Sequence, residues 1–219
     1  DSILLPSRNN IASIVTLIVD YDAGNLASVK RACQQVGLDA EFCADPDQLR
    51  HAKRVIFPGV GAAGSAMASV KARGLDEALR EVISNGCPVL GICLGMQISL
   101  DYSEENDTPT LGLIAGEVTR FRMDRPDLKV PHMGWNEVCV QQAHPVLEGI
   151  EAGDEFYFVH GYFPTPKDNA AILATTDYEG HFASAIGKDS YIGTQFHPEK
   201  SGRVGLRLLS NFAQWDGQC

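Results

Sequence analysis

Continuous apolar runs along the chain predict the strands of a buried sheet. Residues 14–19 (IVTLIV), 54–57 (RVIF) and 89–92 (VLGI) are short, mostly apolar and bounded by polar or glycine-containing turns. A strand buried on both faces has this composition, whereas a strand with one face in water alternates apolar and polar residues. The three runs therefore predict central strands of a parallel sheet.

Apolar residues in the segments between these runs recur at the spacing of a helix. After the first run, apolar residues recur at intervals of three and four from Leu26 to Val36, and Gly37 then ends the predicted helix. Further patterns predict a strand at 40–43, a helix starting at Asp45-Pro46, and helices at 63–72, 75–84 and 203–215. This alternation predicts an α/β fold with an open, mostly parallel central sheet and flanking helices, joined by right-handed crossovers.

Strand patterns in the second half are shorter and more closely spaced. They lie at 116–121, 138–140, 155–159, 172–176, 182–186 and 191–195. Turn residues at Gly161, Gly180 and Lys188-Asp189 predict antiparallel hairpins added to the parallel sheet. We expect one domain over residues 14–219, with residues 1–13 as an extension outside it.

Composition and charge argue against several classes of function. The 219 residues are 44% hydrophobic and 21% charged, and the net charge of −10 argues against a nucleic-acid partner. The N-terminal segment has neither the basic start of a signal peptide nor the apolar length of a membrane anchor. The six cysteines form neither a C-x-x-C pair nor a Cys/His cluster, so we expect no metal, cofactor or disulfide framework, and a cytoplasmic location.

One cysteine lies in a motif that favours chemistry. Cys93 stands between Gly91 and Gly95, directly after a strand and before a helix that we predict to begin at about Gly95. In the G-x-S-x-G elbow, small flanking residues permit a sharp turn that exposes the central side chain, and a helix dipole favours a thiolate there. A buried structural cysteine is the alternative interpretation of this motif alone.

A glycine-rich turn, Pro58-Gly59-Val60-Gly61, follows the strand at 54–57. The turn lacks the third glycine of the dinucleotide-binding fingerprint. Taken alone, it could equally be a tight connection with no function or part of a functional site. Ligands of open α/β sheets bind beyond the carboxyl ends of the strands, where this turn and Cys93 should both lie.

His197 and Glu199 supply the partners that a cysteine nucleophile requires. They lie two residues apart in Phe196-His197-Pro198-Glu199, and Pro198 favours the extended backbone in which both side chains point the same way. A nucleophile needs a base, and the base needs an orienting group. The sequence therefore predicts a Cys93–His197–Glu199 triad.

These residues resemble the motifs of the class I, triad-type glutamine amidotransferases. The elbow continued to Gln97 and the 196–199 run match that superfamily. Finer signatures resemble its imidazole glycerol phosphate synthase glutaminase subunits: 22–26 (DAGNL), 58–61 (PGVG), 131–136 (PHMGWN) and 156–160 (FYFVH). The resemblance covers nearly the whole chain from Ile14.

The resemblance implies a reaction and a site. Cys93 would attack the side-chain amide of glutamine, His197 would transfer protons, and Glu199 would support the imidazolium. The oxyanion would be held by the backbone N–H of Leu94, as elbow geometry requires, and by the 59–61 turn. The remaining site residues implied are Val60 or Gly61 as the second donor, and Gly59, Gln97 and Glu105 around the substrate.

The resemblance also implies a partner, a (β/α)8 cyclase that consumes the ammonia and forms imidazole glycerol phosphate from a phosphorylated ribulosyl nucleotide intermediate. The matching interface positions are Asn25, Pro131, Met133, Trp135, Tyr157 and Lys200. Met133 and Trp135, placed on a predicted loop, suit interface anchors, with core packing as the alternative. We expect docking to raise glutaminase turnover by settling the 59–61 turn with its N–H toward the oxyanion.

Two other functions fit parts of the pattern. A glutaminase for another synthase, such as those for anthranilate or pyridoxal phosphate, would share the triad but not the PHMGWN run. A non-catalytic binding module on the same fold arises where an elbow residue is lost, whereas this chain has all three triad residues.

Overall fold

A computed structural model describes residues 14–122, 128–178 and 180–218. The predicted 1–13 extension lies outside the described residues. The first half alternates strands and helices in the following order: β1 (Thr16–Val19), α1 (Leu26–Gln35), β2 (Ala40–Cys43), α2 (Pro46–Arg50), β3 (Val55–Gly59), α3 (Ala63–Ala72), α4 (Leu75–Ser84), β4 (Val89–Cys93) and α5 (Leu94–Gln97).

The second half is mostly strands and ends in a helix. Its elements are β5 (Tyr102–Ser103), β6 (Thr108–Pro109), β7 (Gly116–Arg120), β8 (His132–Glu137), β9 (Cys139–Val140), β10 (Glu155–His160), β11 (Tyr162–Pro166), β12 (Ile172–Asp177), β13 (His181–Lys188), β14 (Tyr191–Thr194) and α6 (Gly202–Gln214). Short 3₁₀ helices occupy Pro145–Leu147, Asn169–Ala171 and Pro198–Lys200.

The main sheet has eight strands in the order β2-β1-β3-β4-β14-β13-β12-β9. The first five are parallel, and the last three add antiparallel pairs. Every residue of β1, β3 and β4 is buried, as the continuous apolar runs predict. The predicted α/β fold with a mostly parallel central sheet is confirmed.

The core lies on both faces of this sheet. Ile18 of β1 joins a cluster with α1 and α6, whereas its neighbours Leu17 and Val19 join a second cluster with α3 and α4. Alternate residues of a strand point to opposite faces, so the two clusters cover the two faces. The sheet is thus shielded from water, and its ligand-binding edge is the one where the parallel strands end.

Two predictions about the second half are wrong. Gly161 does not make a hairpin, because β10 pairs with β8 and β11 pairs with β7 in two separate small sheets. A single linking residue is too short to fold one strand back on the other, since a hairpin needs a loop of at least two residues. The stretch from His132 to Asn136, which we expected to be a loop, lies in β8.

The other two predicted hairpins are confirmed: β12 pairs with β13 and β13 with β14 across the predicted turns. No helix within the described ranges is long and apolar enough to cross a membrane.

Candidate active site

Cys93 occupies a strained turn at the end of β4. Its backbone has φ 54° and ψ −111°, and the side chain is 7% exposed. A Cβ at Gly91 would collide with the Tyr191 hydroxyl, and one at Gly95 would collide with the Phe57 carbonyl. Both flanking glycines are therefore required by close packing, as the elbow motif predicts.

The helix after the elbow is shorter than the motif suggests. It begins at Leu94 rather than Gly95 and has four residues. A helix dipole sums over aligned peptides, so one turn offers a thiolate limited stabilisation. The side chains around Cys93 must then supply most of its electrostatic environment.

His197 and Glu199 form a buried pair beside Cys93. His197 Nδ1 lies 2.8 Å from Glu199 Oε1, and the two side chains are 2% and 1% exposed. Burial alone would lower the pKa of His197, but the Cys93 thiol and the Glu199 carboxylate outweigh it and raise the pKa to about 10. The predicted base and its orienting carboxylate are thus brought together with the thiol.

Backbone contacts hold His197 in place. Its N–H donates to the Tyr157 carbonyl at 2.9 Å, and its carbonyl accepts from the Ser201 hydroxyl at 2.6 Å. Ser201 Oγ also accepts from the Tyr157 N–H at 3.0 Å. The backbone is extended at His197, as Pro198 predicts, although Glu199 itself lies in the short 3₁₀ helix that follows.

A buried glutamine that the sequence did not single out contacts the thiol. Gln195 Nε2 lies 3.8 Å from Cys93 Sγ, and Gln195 Oε1 accepts from Gln97 Nε2 at 3.1 Å. Gln195 lies just after β14, where the chain bends at Gln195 and Phe196 before it reaches His197. No local pattern in the sequence signals this contact, because a bend interrupts the alternation of side-chain directions along a strand.

The glycine-rich turn lies directly beside the elbow. Gly59 pairs with Cys93 across β3 and β4, Val60 is 38% exposed, and Gly61 has φ 96°. A Cβ at Gly59 would come within 2.9 Å of Leu94 Cβ, so this backbone approach also requires glycine. The predicted oxyanion residues are therefore neighbours.

A cavity of about 270 Å³ opens above the thiol. All three predicted oxyanion residues, two of the three predicted substrate residues and two triad members line it: Val60, Gly61, Leu94, Gln97, Glu105, Cys93 and His197. The third predicted substrate residue, Gly59, is buried and does not line this cavity. One Glu105 oxygen accepts from the Ala63 N–H at 2.8 Å, at the start of α3. The acidic loop is thereby anchored at the cavity rim.

The predicted interface residues surround this cavity on the surface. Met133 and Trp135 are 62% and 54% exposed, which excludes the core-packing alternative for them. Trp135 packs edge-on against Tyr157, and Lys200 Nζ lies 5.9 Å from the Tyr157 ring centre. Pro131 and Lys200 also line the cavity.

Asn25 lies on the other side of the triad, and its Nδ2 donates to Glu199 Oε1 at 3.3 Å. The motif resemblance implied only an interface role for Asn25, whereas this contact also connects it to Glu199. No group of three or more potential metal-ligating side chains occurs among the described residues.

Comparison with known proteins agrees with this geometry. The family model described as glutamine amidotransferase class-I matches residues 17–215. The imidazole glycerol phosphate synthase subunit HisH of Nitratidesulfovibrio vulgaris Hildenborough is 48% identical over 203 residues, covering 90% of this chain and 95% of the relative. The protein of the same name from Dehalococcoides mccartyi CBDB1 is 47% identical over 197 residues, covering 89% and 94%.

Solved structures share the fold at low identity. A crystal structure of glutamine amidotransferase matches with a TM-score of 0.71 at 18% identity, covering 92% of this chain and all of the other. The PurLQS structure from Thermotoga maritima gives 0.72 at 17% identity, covering 92% and 98%. The resemblance predicted from the motifs is confirmed, and the chain belongs to the class I glutamine amidotransferase family, in the branch of the imidazole glycerol phosphate synthase HisH subunits.

Proposed function

We propose that this chain hydrolyses glutamine to glutamate and ammonia, and passes the ammonia to a (β/α)8 cyclase with which it forms a heterodimeric imidazole glycerol phosphate synthase in histidine biosynthesis. The observation that carries the proposal is the buried His197–Glu199 pair beside the elbow Cys93, in a chain nearly half identical to subunits of that synthase. Residues 14–219 would act as one domain, because the main sheet takes strands from both halves of the chain.

The first half-reaction forms a thioester. The Cys93 thiolate attacks the side-chain amide carbon of glutamine, and the C–N bond breaks as the proton on His197 passes to the departing ammonia. Glu199 occupies His197 Nδ1, so the buried Nε2 is the ring nitrogen left for this transfer. Glu199 holds the opposite ring nitrogen and stabilises the imidazolium.

The second half-reaction releases glutamate. His197 is neutral after the first proton transfer and takes a proton from water, whose oxygen attacks the thioester carbon. The C–S bond breaks and the thiolate returns. Gln97 and Glu105 line the cavity in which the substrate would lie, and the Glu105 carboxylate would attract the substrate ammonium.

The oxyanion needs two donors. Leu94 would supply one N–H by elbow geometry, and the 59–61 turn, which lies beside the elbow, would supply the other. Glycines on both sides of Val60 give the Gly59–Val60 peptide two accessible orientations, so it could rotate to bring the Val60 N–H toward the oxyanion. We assign this rotation to partner docking.

The surface formed by Pro131, Met133, Trp135, Tyr157 and Lys200 would receive the cyclase. An exposed tryptophan and methionine beside a cavity are typical anchors of a protein interface. Asn25 is a predicted interface residue that also donates to Glu199, so cyclase docking at Asn25 would affect Glu199 through this hydrogen bond. The free cysteines among the described residues suit a cytoplasmic location.

Glutamate release, measured with and without the cyclase, tests the proposal. We expect the cyclase to accelerate release, and Cys93→Ser to lower the rate at least about 10³-fold in both cases. Cys139→Ser, at an exposed cysteine, is the matched control and should retain full activity.

Free ammonia separates catalysis from docking. A complex of the cyclase with the Cys93→Ser chain should still form imidazole glycerol phosphate when ammonia is supplied. Equal turnover of the isolated and docked wild-type chain would contradict the activation step. A wild-type chain that releases no glutamate with the cyclase would instead be a binding module.

A further inference from the structure

A chain of buried hydrogen bonds ends on the catalytic thiol. Gln195 faces Cys93 with its nitrogen and Gln97 with its oxygen, and Gln97 Nε2 also donates to the Tyr162 carbonyl at 2.8 Å. Gln195 is 0% exposed and Gln97 is 5% exposed. Two amides buried at this depth need defined partners, because an unpaired polar group costs free energy there.

The partners determine which end of each amide faces which neighbour. The Tyr162 carbonyl can only accept, so the Gln97 atom that faces it must be the nitrogen. The second proton of that nitrogen then goes to Gln195, whose facing atom must be the oxygen. The nitrogen of Gln195 is left facing Cys93 Sγ as a donor.

Two buried histidines fix the Tyr162 carbonyl from its other side. His160 Nδ1 donates to this carbonyl at 2.8 Å, and His160 Nε2 accepts from His132 Nδ1 at 2.9 Å. Burial lowers the pKa of His132 to about 4 and that of His160 to about 3, so both rings are neutral. Asn136 Nδ2 faces His132 Nε2 at 3.3 Å, and the donors all run in one direction.

We propose that Gln195 is a further catalytic residue, which donates an N–H bond to the Cys93 thiolate and holds it for attack. The proposal deepens the proposed glutaminase function and rests on it. Hydrogen bonds to an ionised acceptor are about twice as strong as neutral ones, so the donor favours the thiolate over the thiol. When Sγ becomes the sulfur of the thioester, its negative charge disappears. The hydrogen bond from Gln195 therefore weakens as the covalent bond to the substrate forms.

Several other titratable groups lie around the thiol. They are Tyr21 at the end of β1, Glu105 and Lys200 at the cavity rim, His160 of β10, Tyr162 of β11, and His197 with Glu199 after β14. A test of Gln195 must therefore leave all of them in place. Gln195→Met does so, because it replaces the amide by an apolar group of similar size.

The pH dependence of Cys93 alkylation by iodoacetamide measures the effect. The background carries Cys139→Ser, at the exposed cysteine among the described residues, and also Cys219→Ser. In it we expect Gln195→Met to move the midpoint up by about one pH unit, equivalent to about tenfold in thiolate population. We expect kcat with the cyclase present to fall by a similar factor and KM to change less than about twofold. Gln35→Met, at an exposed position of α1, should match the parent chain.

A second variant covers the case in which Gln195→Met does not fold. Gln195→Glu keeps an oxygen for Gln97 but places a negative charge beside the thiolate, so its midpoint should rise further. Alkylation profiles and kcat equal to those of the parent in the folded variant would overturn the proposal. A parent chain whose Cys93 is alkylated normally but which releases no glutamate would refute the glutaminase function. In that case the difference in alkylation midpoint between the parent chain and the Gln195 variants would still show whether Gln195 donates to Cys93.

Discussion

At the scale of single residues, two buried hydroxyls near the triad differ in their hydrogen bonding. Ser201 Oγ bonds to both the His197 carbonyl and the Tyr157 N–H, which ties His197 to β10. The Tyr21 hydroxyl is buried against Gly59 and has no hydrogen-bond partner among the described residues. A buried polar group stabilises a fold only when it is paired, so the two hydroxyls should affect stability in opposite directions.

Replacing each hydroxyl tests this difference. Ser201→Ala leaves the Tyr157 N–H without its partner, although the His197 carbonyl keeps its bond from the Lys200 N–H, and should lower the free energy of unfolding by about 1–3 kcal/mol. Tyr21→Phe removes an unpaired group and should raise the free energy of unfolding by about 1 kcal/mol. Urea unfolding at pH 7 measures both values, with Ser65→Ala at an exposed hydroxyl as control. A loss in Tyr21→Phe as large as that in Ser201→Ala would mean that the tyrosine is bonded.

At the scale of elements, the elbow depends on how closely α5 approaches β3. Gly95 lies against the Phe57 carbonyl, and no side chain fits between them. This close contact, and not an unusual backbone conformation, is what requires glycine at position 95, because Gly95 is not among the residues with positive φ. Gly37 is the opposite case, with φ 74° and no other atom within 4 Å of a Cβ added there.

The two glycines therefore make a matched pair of substitutions. Gly95→Ala should push the elbow away from β3, lowering both stability and kcat, the latter at least about tenfold because the nucleophile moves from its attack position. Gly37→Ala should cost about 1–2 kcal/mol through its backbone conformation and leave kcat unchanged. Thermal unfolding and glutamate release measure the two effects, and full activity of Gly95→Ala would contradict the contact argument.

The elements that the sequence predicted are those whose pattern is local. The strands β1, β3 and β4 are buried on both faces, so their apolar runs are visible without knowledge of the partners. The strand β8 was missed because its exposed positions carry Met133 and Trp135, and it includes Gly134. Its exposed face carries these two apolar side chains, whereas a strand at the surface usually exposes polar residues and buries apolar ones.

The same limit applies to the site. Cys93, His197 and Glu199 lie in compact motifs whose chemistry is read directly from the residue types. Contacts such as Gln195 to Cys93, Ser201 to Tyr157 and Asn25 to Glu199 join residues 102, 44 and 174 positions apart. Such contacts exist only in the assembled fold, and Gln195 reaches Cys93 because β14 lies next to β4 in the sheet.

At the scale of the whole molecule, buried neutral histidines couple stability to pH. Three of them lie outside the triad: His132 and His160 in the small sheet of β8 and β10, and His144 packed against Trp215. Burial lowers the pKa of His132 and of His144 to about 4, and that of His160 to about 3. Each would ionise near 6.5 in the unfolded chain.

These shifts predict a loss of stability in mild acid. Between pH 6.5 and 5 the unfolded chain takes up protons on these three histidines and the folded chain does not, so the free energy of unfolding falls as pH falls, by at most about 1.4 kcal/mol per pH unit for each ring. His197 has a raised folded pKa, and its contribution changes only above pH 6.5. Urea unfolding at pH 6.5, 6 and 5 measures the slope.

His144→Asn keeps a side-chain acceptor for the Val146 N–H but removes one titrating ring, so its slope should be smaller by about a third. Equal slopes for the two proteins would show that His144 is charged in the folded state.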